Sequence, residues 1–421
     1  MAVSSRLTTP HFSLTLNFSK LHKHPSLHIN ITPSLHLKKI FCCLSSPLDQ
    51  TDKNSSIPTN QTNSLRIIFA AGGTGGHMYP AVAIADELKN IDPSTQILFL
   101  GTQDGMESTA IPSSGYDFDT IQAFPLIRPL YSPQNILFPF YLIKSMIYSW
   151  EKLRDFEPHV VLGTGGYVSA PGIANWVLSF FADMVFVAFP SSVKYFPEGK
   201  CIVSGNPIRL SMRQYVSKTV AGFHFFPRAK KNWDSESKVV LILGGSLGAN
   251  AINIAILNMY YEMLVEHKNW FIIWQTGVEA FNEMESLVKH HSRLVLTPFS
   301  DTMDLAYAAA DLVVSRAGAM TCSEILATGK PSILIPSPNV AEGHQMKNAS
   351  IMSDLAGSKV VTEDELESTT LRIAIEEILG DERQMADMSE KGMKAARPEA
   401  SAEIAKHIFS LVELSAVKSR I

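Results

Sequence analysis

The feature that most limits what this chain can fold into is a beginning that occurs twice: an apolar strand, a glycine turn and an amphipathic helix. The first copy runs from Leu65-Arg66-Ile67-Ile68-Phe69-Ala70 through AGGTGGH at 71–77 into a helical pattern with Ala81, Ile84, Ala85 and Leu88 on one face. The second runs from VVLIL at 239–243 through GGSLGAN at 244–250 into Ile252, Ile256, Leu257, Tyr260, Tyr261 and Leu264. Gly72 and Gly244 thus open equivalent turns 172 residues apart. Glycine permits positive φ and close backbone approach, and the amides and dipole of the following helix favour an anion there. A diphosphate is the natural guest. A single such turn also serves as a plain strand-to-helix joint. Two at the heads of two half-chains argue for two Rossmann-like, doubly wound α/β domains facing a cleft. Neither copy fits the dinucleotide fingerprint, and neither ends in the Gly-Lys-Ser/Thr of a P-loop, so hydride transfer and nucleoside triphosphate hydrolysis are disfavoured.

The remaining pattern fits this division. Strands are predicted at 96–100, 120–123 and 159–162, the last leading into a third glycine turn, GTGGYVSAP at 163–171. After Gly205-Asn206-Pro207 the chain becomes irregular and basic, and 206–237 is read as the inter-domain linker. Strands at 239–243, 271–275, 294–296, 312–315 and 332–335 then alternate with helical stretches, as a parallel sheet requires. Ligands of such sheets sit beyond the strand C-termini, which selects residues 244–248, 275–277, 299–300, 316–324 and 336–345 as the lining of one cleft. The domains read as 65–205 and 238–395, with a C-terminal helix in 396–421. The pair Asp117 and Asp119 beside a predicted strand reads as structural rather than as a metal site.

Charge enters where the chain starts. Residues 1–48 hold no Asp or Glu but five Lys or Arg, eight Ser, four Thr and five His, the make-up of an organelle transit peptide, and the Ser and His content favours a plastid. Residues 1–64 are therefore read as a leader. Setting it aside turns the net charge of −4 for 421 residues into −8 for residues 65–421, which disfavours nucleic acid as a partner. Cys201 and Cys322, the two cysteines of the body, are far apart and have no metal-ligand spacing around them. No apolar run reaches the roughly 18 residues of a spanning helix.

The segments GGTGGHMYP (72–80), GTGGYVSAP (163–171), GNPIR (205–209), GGSLGA (244–249), SRAGAMTCSE (315–324) and HQMKNA (344–349), in this order, resemble the MurG family over about residues 65–412. The resemblance implies the two-domain GT-B fold and transfer of N-acetylglucosamine from UDP-N-acetylglucosamine to the muramyl 4-hydroxyl of lipid I, giving lipid II with inversion. The N-terminal domain would take the polyprenyl-diphosphate-linked muramyl peptide at a membrane surface, and the C-terminal domain the nucleotide sugar, with no cofactor and no metal. Position by position it implies that Thr74, Gly75 and Gly76 lie near the donor sugar and that Arg209 and Ser246 contact the donor. It further implies that Ser300 reads uracil through its backbone, that Ala319, Met320, Thr321, Cys322, Ser323 and Glu324 open the nucleotide-binding helix with Glu324 on the ribose, and that Gln345 contacts the sugar. His77, ending the first glycine turn, is the candidate general base; capping the turn or binding phosphate is the other reading of it. A plastid galactolipid synthase that uses UDP-galactose is the competing enzyme of the same superfamily.

The chain departs from the family in one place. Pro171 runs straight into Gly172-Ile173-Ala174-Asn175, where the resemblance implies a further helix, strand and Glu-Gln-Asn turn. About one βα unit is missing from the N-terminal domain. An empty strand slot inside a parallel sheet would leave amides and carbonyls unpaired, so the strand at 184–189 is predicted to take the slot through a right-handed crossover. The loss also raises the alternative of a non-catalytic protein that binds UDP-sugar or lipid. Segment 124–154 mixes aromatics and aliphatics with Arg128, Lys144, Lys152 and Arg154, a composition open to burial in a core or to a membrane interface. The resemblance favours the interface, and with the leader it places the protein on an inner plastid membrane face.

Overall fold

A computed structural model of the chain describes residues 2–5, 64–72, 75–103, 105, 107–121, 136–164, 178–229, 233–234, 236–245, 248–339 and 343–418. Two sheets organise them. The N-terminal sheet contains β1 (Ala2–Ser5), β2 (Arg66–Ala71), β3 (Gln96–Gly101), β4 (Asp117–Thr120), β5 (Val160–Thr164), β6 (Ala182–Val187) and β7 (Cys201–Val203), in the order β4-β3-β2-β5-β1-β6-β7. Helices α1 (Gly75–Ile91), α2 (Glu107–Ser113) and α3 (Phe138–Phe156) connect its strands. Ile67, Ile68 and Phe69 are all fully buried. A strand covered on both faces reads as a continuous apolar run rather than an alternating one, as in a parallel sheet under helices.

The vacant slot is filled, though not as the sequence predicts. Strand β6 is one place further out, and β1 lies between it and β5. Ala2 to Ser5 run antiparallel to both neighbours, opposite Thr164 to Val161 on one side and Phe186 to Ala182 on the other, with a register shift between Ser4 and Ser5. This corrects the expectation that residues 184–189 move into the slot. The physical reason is pairing: β1 supplies ladder partners to β5 on one side and β6 on the other, so no amide or carbonyl row is left open between them. Residues 2–5 of the segment read as leader thus belong to the sheet, and residues 6–63 lie outside the described part.

The C-terminal sheet is parallel throughout, in the order β10-β9-β8-β11-β12-β13. Its elements are α4 (Lys218–Phe225), β8 (Lys238–Leu243), α5 (Asn250–Leu257), α6 (Tyr260–Glu266), β9 (Trp270–Gln275), α7 (Phe281–Leu287), β10 (Leu294–Thr297), α8 (Met303–Ala309), β11 (Leu312–Ser315), α9 (Ala319–Thr328), β12 (Ser332–Leu334), α10 (His344–Ala356) and β13 (Lys359–Val360). This is the doubly wound order with its switch point between β8 and β11. The helix expected over 252–264 breaks at Asn258 into α5 and α6, which still share one core with Trp274 and Ile272. The segment read as linker is mostly not loose: Ile208, Met212, Ala221 and Phe226 pack against Val239, Leu241 and Phe271 of the second sheet.

Three helices close the chain, α11 (Ser368–Gly380), α12 (Glu382–Ala395) and α13 (Ala400–Lys418). The last returns to the N-terminal domain, where Ile404, Ala405, Ile408 and Leu411 enter the core with Ile84 and Leu88 of α1. Full burial of an aliphatic side chain is worth roughly 1.5–3 kcal/mol, so these contacts hold the two domains together at the hinge side. Arg213 adds ion pairs to Glu87 of α1 and to Glu399.

Candidate active site

The cleft is built first by backbone. A Cβ on Gly244 would meet the carbonyl oxygens of Gln275 and Thr276 at 3.0 Å, and one on Gly248 (φ 110°) would meet that of Thr276 at 2.8 Å. Only glycine lets this turn lie so close to the end of β9. Gln275 then ties three loops together. Its carbonyl accepts from the Gly244 amide (2.9 Å), its Nε2 donates to Gly245 O (3.1 Å), and its Oε1 accepts from the Ser300 amide (3.2 Å). Arg316 Nη1 donates to Ile335 O (3.2 Å), Asn348 Nδ2 to Ala317 O (3.0 Å) and the Ser337 amide to Gln345 Oε1 (2.8 Å). The described parts of the five selected loops therefore meet along one edge of the sheet. Ser246 lies outside the described residues.

Helix α9 begins at that edge behind Gly318, whose side-chain-free position leaves the first-turn amides for a ligand. The Cys322 amide already bonds to Gly318 O at 2.9 Å, so the amides of Ala319, Met320 and Thr321 are the ones at the helix start. The Cys322 thiol is fully buried in the core, which pushes its pKa up to about 12. Within the expected helix start, Cys322 thus has its amide bonded to Gly318 and its thiol in the core. Met320 is also buried, its sulfur accepting from Asn206 Nδ2 of the inter-domain loop at 3.1 Å. Ser323 Oγ donates to Ala319 O at 3.0 Å.

Glu324, one turn in, is 6% exposed. Burial raises its carboxyl, and the neighbouring Arg209 guanidinium and the Tyr307 hydroxyl, which donates to Oε2 at 3.2 Å, pull it back. Arg209 in turn lies with its guanidinium carbon 3.5 Å from the ring centroid of Tyr79 in α1. Two contacts thus flank the cleft, Tyr79 of the glycine-turn helix on Arg209 of the inter-domain loop and Tyr307 of α8 on Glu324 of α9, and the Arg209 charge acts on Glu324 between them.

On the N-terminal side Gly75 and Gly76 start α1, and Thr74 lies outside the described residues. His77 Nδ1 is 3.2 Å from Gly72 O. Burial lowers the pKa of this imidazole, its bond to Gly72 raises it, the chain's amino terminus lowers it and Glu107 raises it. The third glycine turn is described only at Gly163 and Thr164, and Asp119 of the aspartate pair is held by Lys152 of α3 at 2.5 Å. In α3 itself Phe140, Ile143, Met146, Ile147 and Trp150 are exposed, beside Lys144. Residues 124–135 of the segment read as core or interface, Arg128 among them, lie outside the described residues.

Tyr79, Tyr307, Asn206 and Glu107 were not legible as site residues. Tyr307 stands in an alanine-rich helix, where an aromatic reads as core filling, and Glu107 opens a helix, where an acid ordinarily faces solvent. On the outer surface Glu266, His267 and Glu376 come together, but Arg372 pairs both carboxylates. Two cavities of about 550 and 540 Å³ lie between the domains, one around Arg213 and Glu87 and one lined by Asn206, Ser323 and Arg397.

Comparison with known proteins gives a consistent result. The glycosyltransferase family 28 N-terminal domain matches residues 67–182, and the family 28 C-terminal domain matches 239–407. UDP-N-acetylglucosamine–N-acetylmuramyl-(pentapeptide) pyrophosphoryl-undecaprenol N-acetylglucosamine transferases are similar over most of their length. The protein from Salinibacter ruber is 37% identical over 84% of this chain and 98% of its own. That from Flavobacterium psychrophilum is 38% identical over 83% and 98%. Among solved structures, Acinetobacter baumannii MurG superposes with a TM-score of 0.60 at 23% identity, over 82% of this chain and 99% of that one. The calicheamicin glycosyltransferase CalG4 gives 0.57 at 14%, over 84% and 99%. These two establish the GT-B fold of paired Rossmann-like domains.

Proposed function

We propose a function from the premise that this chain belongs to the MurG family, within glycosyltransferase family 28. It moves N-acetylglucosamine from UDP-N-acetylglucosamine to the 4-hydroxyl of the muramyl unit of a polyprenyl-diphosphate-linked acceptor. The observation that carries the reading is Arg209 at the cleft, stacked on Tyr79 of the glycine-turn helix while its charge acts on the buried Glu324 of the other domain. A carboxylate held there accepts both ribose hydroxyls, and the amides of residues 319–321 face the diphosphate. Ser300 meets uracil, Arg209 and Ser246 the donor, and Thr74, Gly75, Gly76 and Gln345 the sugar.

The acceptor oxygen attacks the anomeric carbon as the bond to UDP breaks, which inverts that centre; UDP leaves with the bonding pair and the hydroxyl proton passes to His77. In the tautomer whose Nδ1–H donates to Gly72 O, Nε2 carries the lone pair. Burial keeps the imidazole neutral near pH 7, as a base requires. Developing charge on the leaving diphosphate meets fixed amides, which need no reorganisation.

The acceptor is membrane-anchored, and the exposed apolar and basic face of α3 supports docking on a lipid surface; among the described residues no helix is long and apolar enough to cross one. The acid-free, Ser- and His-rich start supports import into a plastid. Incubation with UDP-N-acetylglucosamine and lipid I should release UDP and yield the β-1,4-linked disaccharide lipid. UDP-galactose should not compete. Tight UDP binding without transfer to any lipid acceptor would overturn the catalytic reading.

A further inference from the structure

The acid nearest the catalytic turn has no part in the mechanism above. Glu107, at the start of α2, is 1% exposed. Its Oε1 accepts from the Thr102 amide at 3.0 Å and from the Thr102 hydroxyl at 2.7 Å. Three glycines from three segments close around it. A Cβ on Gly72 would come within 2.7 Å of Oε1, one on Gly101 within 2.7 Å of Cγ, and one on Gly105 would overlap the carboxylate itself. The chain has thus kept side chains away at three places to admit one buried acid, whose charge the Thr102 amide and hydroxyl help to hold. Gly72 is also the residue whose carbonyl contacts His77. One peptide of the glycine turn therefore touches the carboxylate on one side and the imidazole on the other.

We propose that Glu107 is a positioning residue for the transfer: its carboxylate, seated among Gly72, Gly101 and Gly105, fixes the turn that carries His77 and supplies the negative charge against which that imidazole gains its proton. The inference rests on His77 as the base. As the transfer proceeds, the acceptor O4–H bond breaks, the O4 to anomeric carbon bond forms, and the proton on His77 makes an imidazolium. A fixed carboxylate beyond Gly72 favours that charge, and its permanent seat removes the entropy of arranging it. Two charges act on His77, Glu107 from α2 and, in the opposite direction, the amino terminus of the chain; the second is the same in every variant compared below.

The test is titration of His77 by NMR in the full-length chain labelled at histidine, with assignment by His77→Gln, for wild type, Glu107→Gln and Glu107→Asp. Removing the charge should lower the His77 pKa by roughly 0.5–1 unit, the size of one partly screened buried charge. The shorter Asp, which keeps the charge, should hold it closer to wild type. In turnover, Glu107→Gln should lower kcat about tenfold, and Asp should restore part of the rate. An unchanged His77 titration in Glu107→Gln overturns the proposal. So does a loss of rate that Asp and Gln share equally, which marks a merely structural seat. Should Glu107→Gln fail to fold, the Asp variant decides: His77 titrating near its wild-type value supports the proposal, and a shift as large as that expected for charge removal overturns it. The titration needs no turnover, so a wild-type chain without transferase activity would refute the function and leave Glu107 still tested.

Discussion

Replacing Tyr79 by Leu should weaken UDP binding although Tyr79 lies on the opposite domain. The guanidinium of Arg209 sits 3.5 Å from the centre of that ring, in a half-buried setting. A cation–π contact is worth about 0.5–1 kcal/mol when exposed and about 2 when desolvated, which places this one at roughly 1–2 kcal/mol. Without the ring, Arg209 is free to close on Glu324, and the carboxylate then meets the ribose already paired. The expected loss is about 5- to 30-fold in Kd, since about 1.4 kcal/mol is tenfold. Arg209→Met should cost more, because it strips a cation acting on a buried acid whose pKa burial already raises. The decisive measurement is the double mutant. If the ring acts through the guanidinium, adding Tyr79→Leu to Arg209→Met should change calorimetric UDP affinity by little, a coupling of about 1–2 kcal/mol. Losses that add to within about 0.3–0.5 kcal/mol would show the two residues to be independent and refute the relay.

Tyr307→Phe removes the hydroxyl that donates to Glu324; a hydrogen bond to a charged group is worth roughly 1.5–3 kcal/mol, so UDP affinity should fall about tenfold or more, and unchanged calorimetry would remove Tyr307 from the site. Because burial raises Glu324 above its ordinary 4.5, UDP affinity should decline on acidification before pH 4.5 is reached; Glu324→Gln should flatten that part of the profile. Phe140→Asp with Met146→Asp on the exposed face of α3 should cut sedimentation with anionic vesicles by an order of magnitude or more while leaving UDP binding intact; equal sedimentation would dismiss the face as a lipid contact. Deleting residues 1–5 should speed amide hydrogen exchange in β5 and β6 and leave β8 and β11 unchanged; protection equal to that of the full chain would show that β1 does not complete the sheet.

The C-terminal half was legible nearly element by element, because a parallel sheet buried on both faces writes itself as short apolar runs between glycine-rich turns, and the topological rule then selects the loops. What the runs could not give was partnership at a distance. Arg209 in GNPIR is readable as a donor contact, yet nothing in the spacing of Tyr79, Arg209 and Tyr307 says that they meet at Glu324, since the three come from different segments and only the packing of two domains joins them. Glu107 was hidden for a different reason: the seat that holds it is made of absent side chains, and glycines at 72, 101 and 105 each have an adequate local explanation in their own turn. The strand expected at 120–123 formed instead over Asp117–Thr120, where a polar sequence is tolerated because β4 is an edge and Lys152 pairs Asp119.

The N-terminal sheet sets a condition on everything proposed for the acceptor side. Strands β5 and β6 need a neighbour, and the one they have is Ala2–Ser5, from the segment whose composition reads as an organelle address. The two roles exclude each other within a single molecule, because a leader that is cut away cannot remain as a strand. A sheet left with an open position between two internal strands exposes a double row of amides and carbonyls, each costing about 1–3 kcal/mol if buried unpaired. A chain that loses its leader must therefore close β5 onto β6 or recruit another extended segment. Since β5 also pairs with β2, the strand that leads to the turn carrying His77, either rearrangement acts on the acceptor side, while the C-terminal sheet and its donor loops are untouched. Donor binding and transfer should consequently separate: the intact C-terminal half carries UDP recognition in any form of this chain, and the state of one sheet position decides whether the acceptor half is aligned to use it.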